Sequence, residues 1–427
     1  MNCSMNCKIK KIRTLFALPL IAIFFAAPFA VPLAAQDFGL LLNQYGSFGH
    51  IDGAAAGENQ FEYRIGIVPR FSVNFNDNSS LFISAGVSAS RSDDFDIIPE
   101  LLRTEFSWSS GHLGLNIGRI PYADPLGFIA NGLFDGIQFT HTSQAGRFGF
   151  GAWYTGFLFK DTANITMTQA DQLLYAAPFD INNFADTYFA SSRLLASISY
   201  ENLAIADFMR LNAAVVGQFD LNDADETLNT QYLILRLGLP VNNVFFQLGG
   251  SLAAMQSDGS FNLAFSGEFG LYWTIPSGLG NRLSFNVRTA SWNFSDDDSA
   301  DPLFGAFVPV TNIYFGEIFQ ARMTALSVFS LNYSSRLSRT LGANIGVSYF
   351  MRHDLQTPNT FPIGNVGGAD NGEFLLGAEM FARLVWSPFS DLQFNLGGGA
   401  FIPALGNNWP DESPIWQINL SAILAVF

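Results

Sequence analysis

From residue 37 to the end, the chain is written in a period of two. Over 61–75, Phe61, Tyr63, Ile65, Ile67, Pro69, Phe71, Val73 and Phe75 fall on one parity, and Glu62, Arg64, Gly66, Val68, Arg70, Ser72 and Asn74 on the other. Successive side chains of an extended strand point to opposite faces, so this alternation describes a strand with one apolar and one polar side. Leu81, Ile83, Ala85, Val87 and Ala89 alternate in the same way with Phe82, Ser84, Gly86, Ser88 and Ser90. Hydrophobic residues make up 49% of the chain and charged residues only 13%, against roughly 25% charged in ordinary soluble domains. Yet beyond the N-terminal region there is no apolar run of the ~20 residues that a membrane helix needs. The apolar residues are spread along one face of many strands.

The N-terminal region follows a different rule. Lys8, Lys10, Lys11 and Arg13 precede an apolar stretch from Leu15 to about Ala35 that Pro19, Pro28 and Pro32 interrupt. A basic start, an apolar middle and a small-residue end at Leu33-Ala34-Ala35 are the marks of a secretory signal peptide. Residues 1–35 are therefore expected to be removed, leaving 36–427 as one barrel domain. Those 35 residues hold four basic side chains and no acids, so the whole chain's 21 Lys and Arg against 36 Asp and Glu become 17 against 36, a net charge of −19. Such a chain is a poor partner for nucleic acid. Cys3 and Cys7 lie ahead of the apolar stretch, so the mature protein is expected to have neither a disulfide framework nor a thiol nucleophile.

Counting alternating segments gives eighteen strands, at 37–48, 60–75, 80–91, 99–109, 112–120, 133–143, 147–159, 187–201, 208–219, 229–240, 243–256, 261–275, 282–295, 318–333, 340–352, 373–386, 391–402 and 415–427. Connections after even-numbered strands are short, as at Ser110-Gly111, Ala145-Gly146 and Phe389-Ser390, whereas most of the others are long. Tight turns at one end and larger loops at the other are the pattern of outer-membrane barrels. Aromatic residues on the apolar parity separate lipid from a soluble core as the surroundings of that face. Phe75, Trp108, Tyr200, Trp273 and Trp386 end even-numbered strands, and Phe61, Tyr188, Phe261, Phe374 and Trp416 begin them. Two aromatic belts at opposite rims match the two membrane interfaces. The predicted fold is all-β: a transmembrane antiparallel up-and-down β-barrel of about 18 strands, with no room for a plug domain before its first strand.

In this pattern the chain resembles the Gram-negative outer-membrane porins over its whole mature length. The C-terminal Phe427 is similar to the terminal aromatic that the barrel-assembly machinery reads in that superfamily. Gly118-Arg119-Ile120 followed by Asp135-Gly136 resembles a Gly-Arg then Asp-Gly pattern of alginate-export-like and substrate-selective porins. The resemblance implies an outer-membrane location, contact with outer-membrane lipid, and a monomer or homotrimer.

With the apolar parity facing lipid, the other parity faces the lumen and carries twelve arginines: Arg64, Arg70, Arg103, Arg147, Arg193, Arg210, Arg236, Arg282, Arg288, Arg322, Arg352 and Arg383. Five acids share it, namely Glu62, Glu105, Glu201, Glu268 and Glu379, while other acids crowd the loops at Asp93, Asp94, Asp96, Asp223, Asp225, Glu226 and Asp296 to Asp298. A guanidinium stays charged and offers a planar fork to anions, and charge lining a pore selects for the opposite sign. The candidate pore-lining residues are Arg64, Arg70, Arg103, Arg193, Arg236, Arg288, Arg322 and Arg383, with Arg70, Arg103, Arg193, Arg236, Arg288 and Arg322 nearest mid-strand. The alternative for each is an ion pair with a lumenal or loop carboxylate. Arg119 sits on the apolar parity and would need a bulge at Gly118 to reach the lumen. The segments 120–132 and 160–186 are large enough to fold inward and narrow the pore; the alternative, for 160–186 above all, is a loop that stands outside on the surface.

The expected function is a channel for passive diffusion of small hydrophilic solutes, favouring anions. A surface adhesin or structural barrel with a blocked lumen is the other reading. His50, His112, His141 and His353 show no metal-ligand spacing, and no cofactor is expected. His141 and Ser143 lie two apart, on one strand face, without an orienting acid or amide, so no enzyme is expected either.

Overall fold

Eighteen strands each pair antiparallel with their neighbours in sequence, and β1 pairs with β18 to close the ring. The strands are β1 (Gln36–His50), β2 (Gln60–Asn76), β3 (Ser79–Arg91), β4 (Phe95–Ser110), β5 (Leu113–Ala123), β6 (Asn131–Ser143), β7 (Gly146–Tyr154), β8 (Arg193–Ile205) and β9 (Met209–Asp220). The second half holds β10 (Asn229–Val241), β11 (Val244–Ser257), β12 (Ser260–Thr274), β13 (Arg282–Ala290), β14 (Leu326–Arg336), β15 (Leu341–Arg352), β16 (Leu375–Phe389), β17 (Leu392–Ile402) and β18 (Ile415–Val426). The computed structural model describes residues 36–50, 59–91, 95–205, 208–222, 227–257, 260–277, 280–292, 305–354, 374–406 and 414–426. The expected signal peptide, Phe427 and the acidic loop residues other than Asp96 lie outside the described residues.

Burial along the strands is inverted relative to a soluble protein. On β12, Phe261, Leu263, Phe265 and Phe269 are exposed, while Ala264, Ser266 and Glu268 between them are buried. The same holds on β11, where Leu248 and Leu252 are exposed and Gln247, Ser251 and Ala253 are buried. An outward band of large apolar side chains needs lipid around it. Ring closure leaves no open sheet edge among the strands, the condition for β-structure to cross hydrocarbon. The molecule is thus a membrane-spanning barrel of the outer-membrane type, as the alternation predicts.

Three predicted strands run too far, for one physical reason. Residues 155–159 and 187–192 leave the wall and continue inside it, where Phe159 and Phe189 still form an isolated bridge. Residues 318–325 belong to an inner segment rather than to β14: Phe319, Ala321, Met323 and Ala325 are buried there. An extended loop whose apolar residues alternate carries the same period of two as a strand that buries them in lipid, although here Arg322 and Thr324 between them are buried as well. Tyr188, expected at a membrane interface, is for this reason buried against Phe159 and Phe189.

Candidate functional site

Three connections at the long-loop end turn into the lumen: residues 124–130 between β5 and β6, 155–192 between β7 and β8, and 305–325 before β14. The first is built around one carboxylate. Asp124 accepts hydrogen bonds from the backbone N–H groups of Leu126 (2.7 Å), Gly127 (2.9 Å), Ile129 (2.8 Å) and Ala130 (2.9 Å). Burial pushes its carboxyl above the usual range, and the four donors pull it back. The loop so formed reaches several strands away: Arg236 on β10 donates to the Pro125 carbonyl at 2.8 Å, and Leu126 lies over Gly249 on β11.

The second segment contains α1 (Lys160–Ala163) and α2 (Gln169–Ala176). A capping box between Thr168 and Asp171 starts α2. Lys160 is buried and donates its Nζ to the carbonyls of Leu174, at 3.0 Å, and Ala177 at the other end of that helix. Desolvation pushes the ammonium pKa down, while the carbonyl end of the helix suits a cation. Arg193 joins the segment to the wall, with Asp171 at 2.6 Å and Asp220 at 3.0 Å, all three side chains almost fully buried.

The third segment locks the other two. Val310 N–H donates to the Ile129 carbonyl at 2.7 Å, Asn312 N–H to the Asn164 carbonyl at 2.9 Å, and Arg322 to the Thr166 carbonyl at 2.8 Å. On the wall side, Glu379 of β16 accepts from the N–H groups of Glu317 (2.8 Å), Ile318 (3.0 Å) and Phe319 (2.8 Å). Leu126, Phe128, Ile129, Phe307, Val308 and Val310 then pack with wall residues such as Trp153, Tyr232, Ile234 and Met255 in an apolar core inside the barrel. A second cluster stacks Phe319 on Phe401 at 4.2 Å.

This inner layer borders a cavity of about 390 Å³ against β13 to β16. Its wall side offers Asn286 and Arg288 from β13, Ser330 and Asn332 from β14, Asn344 and Ser348 from β15, and Glu379, Phe381 and Arg383 from β16; its loop side offers Phe128, Tyr314, Phe315 and Glu317. Arg288 lies 5.1 Å from the ring of Phe315 and Arg383 lies 5.4 Å from that of Phe381. Aromatic faces hold both guanidiniums, and both side chains stay partly exposed. Arg383 also meets Glu317 at 2.8 Å in a pair that is nearly half exposed on both sides.

The predicted pore arginines separate into groups. Arg288 and Arg383 line the cavity. Arg236 and Arg288 share Glu268, at 3.1 and 3.6 Å. Arg103 pairs with Glu105 on its own strand and lies over Phe82, and Arg64 pairs with Glu62 at 3.3 Å. Arg70 lies across Gly39, its register partner on β1, where an added Cβ would sit 2.6 Å from the Arg70 Nε. Two residues are not mid-strand. Arg193 is the first residue of β8, and Arg322 lies in the third inner segment; both are fully buried in loop contacts. The Gly-Arg and Asp-Gly dipeptides meet across strands: Gly118 pairs with Gly136 and Arg119 with Asp135, in a bidentate contact of 2.9 and 2.7 Å. Gly118 has φ +119°, and a Cβ there would lie 2.1 Å from the Thr104 carbonyl oxygen, so only glycine fits. Arg119 is buried, reaching also the carbonyls of Leu101 and Phe157.

The sequence did not single out Asp124, Asp171, Asp220 or Glu317, the carboxylates that organise the inner layer. Their signal is faint: Asp124 lies between two prolines and ahead of a glycine in 121–127. Ser143 donates to the Gly146 carbonyl at 3.2 Å, a turn contact.

The architecture has solved counterparts. The chain aligns with Pseudomonas aeruginosa OccK5 (OpdH) at a TM-score of 0.59, with 11% identity over 91% of this chain and 98% of that one. The fold is that of the Gram-negative outer-membrane porins. Pseudomonas aeruginosa OpdK, in a structure determined with vanillate, gives a TM-score of 0.58 with 12% identity over 92% and 98% of the two chains. The outer membrane protein OprD of the same organism gives 0.54 with 13% identity over 92% and 93%. The chain matches no family model and no curated protein.

Proposed function

We propose that this barrel is a passive outer-membrane channel for small hydrophilic solutes and that its lumenal arginines make it favour anions. The observation that carries this reading is the cavity between the inner layer and β13 to β16, where Arg288 and Arg383 stand among asparagine and serine side chains, while the two carboxylates there are engaged, Glu317 by Arg383 and Glu379 by three backbone N–H groups. Fixed positive charge on a narrow aqueous wall favours anions in transit. The pairing of guanidinium with phenyl suits a flat solute that carries a carboxylate; OpdK, which shares the fold, has been determined with vanillate. Planar-bilayer recording tests the proposal. Steps of conductance with a reversal potential on the anion side of zero in a salt gradient are expected, and cation preference would overturn the role given to the arginines. Vanillate, phosphate and a neutral sugar compared in liposome uptake would then rank the solutes.

A second reading, a surface or structural barrel with a blocked lumen, is favoured by the dry core that the inner segments build inside the wall. It predicts a folded barrel that never conducts. In either case Phe427 is the proposed signal to the barrel-assembly machinery, and its deletion is expected to lower the yield of folded barrel without changing the behaviour of the molecules that do fold.

A further inference from the structure

Four residues of the lumenal wall stand in one row across four strands: Arg236 on β10 faces Gly249 on β11, Gly249 faces Glu268 on β12, and Glu268 faces Arg288 on β13. The glycine is what lets the row close. A Cβ at Gly249 would lie 3.0 Å from Glu268 Cγ and 2.4 Å from Leu126 Cδ2, so its place is filled by the glutamate from the wall and by the loop from the lumen. Arg236 can therefore reach across a whole strand to Glu268 Oε1 at 3.1 Å. The other carboxylate oxygen faces Arg288 Nε at 3.6 Å, beyond hydrogen-bonding distance. Gln247 adds a hydrogen bond of 2.7 Å to Oε1. Burial is unequal. The glutamate side chain is 3% exposed, whereas the arginines are 31% and 34% exposed, so a passing ion meets guanidinium with a carboxylate beneath it.

We propose that Glu268 is the residue that sets the charge selectivity of the lumen, and that the two arginines it holds have different tasks. Arg236 spends its second contact on the Pro125 carbonyl, at 2.8 Å, and so positions the 124–130 loop. Arg288, which meets Glu268 at long range and Phe315, is the member of the row that lines the cavity. One carboxylate lies between two guanidiniums, at 3.1 and 3.6 Å, and the three formal charges of the row sum to +1. The inference rests on the channel reading above.

The test is reversal potential in planar bilayers with the full chain. Glu268→Gln keeps an acceptor for Gln247 and Arg236 but takes the row to +2. The anion-to-cation permeability ratio is expected to rise about seven-fold, since one unit charge at about 7 Å through water-like dielectric favours the anion roughly three-fold and disfavours the cation by the same factor. Arg288→Gln takes the row to zero and is expected to lower the ratio by a similar factor. The double variant returns the row to +1 and is expected to restore the parental ratio. Arg236→Gln also takes the row to zero and is expected to lower the ratio, but unlike Arg288→Gln it is expected to raise current noise and expose 124–130 to protease as well. Should Glu268→Gln fail to fold by heat-modifiable migration, Arg288→Gln alone decides. A conducting protein whose ratio is indifferent to these charges overturns the assignment to Glu268; a wild-type barrel that folds and does not conduct overturns the channel reading instead.

Discussion

Asp124 and Glu379 solve the same problem at the scale of single residues. Chain that turns inside a barrel has no strand partner, yet a buried N–H left without an acceptor costs about 1–3 kcal/mol. Asp124 takes four such donors and Glu379 three. Asp124→Asn would turn an amide N–H₂ toward two of the four, leaving donors facing donors. A loss of roughly 2–6 kcal/mol is expected from two unsatisfied groups at that cost, read as a lower melting midpoint in detergent with new protease cleavage at 124–130. An unchanged midpoint would remove Asp124 as the organiser of the loop. At this scale the sequence was partly legible. Arg64 with Glu62 and Arg103 with Glu105 stand two apart on one strand, so their shared face follows from parity alone. The partnership of Arg236 with Glu268 depends on register across two strand pairs and on the missing side chain of Gly249, neither of which the local alternation encodes.

Among elements, the strands were legible and the inner segments only in part. Alternation places all eighteen strands because lipid enforces one apolar side at every other residue. The same alternation misassigns 318–325, where an inner core replaces lipid as the apolar partner. Segments 120–132 and 160–186 were read as large enough to enter the lumen, and 124–130 and 160–186 lie inside the wall; of the third, 305–325, residues 318–325 were hidden by their strand-like pattern. The structure hangs 155–192 on Arg193, whose guanidinium meets Asp171 from α2 and Asp220 from β9. Arg193→Met keeps the bulk and strands two buried carboxylates, a change that typically costs about 3–5 kcal/mol when one member of a buried ion pair is removed. The barrel, closed by β1 with β18 far from this site, is expected to survive. Limited proteolysis should therefore cut within 155–192 while heat-modifiable migration is kept. Resistance equal to the wild type would show that the segment is held by its apolar contacts and not by the ion pairs.

The whole molecule is an inside-out β-protein whose interior is divided in two. One part of the lumen, bounded by β5 to β13, is packed with apolar side chains from three loops; another, along β13 to β16, keeps polar side chains around open space. The acidity of the chain and its arginines are compatible at this scale, because arginines on the lumenal parity are met by carboxylates from strand and loop alike, leaving fields that are local and not a uniformly basic wall. At the edge of the open space Arg383 is paired with Glu317, and Arg288, which shares one carboxylate with Arg236, is where positive charge meets solvent. That this space is a conducting path is tested most directly by single-channel recording of the purified, folded protein in planar bilayers under a salt gradient. Discrete conductance steps with an anion-side reversal potential are the predicted result; a correctly folded barrel that stays silent at every voltage would contradict it.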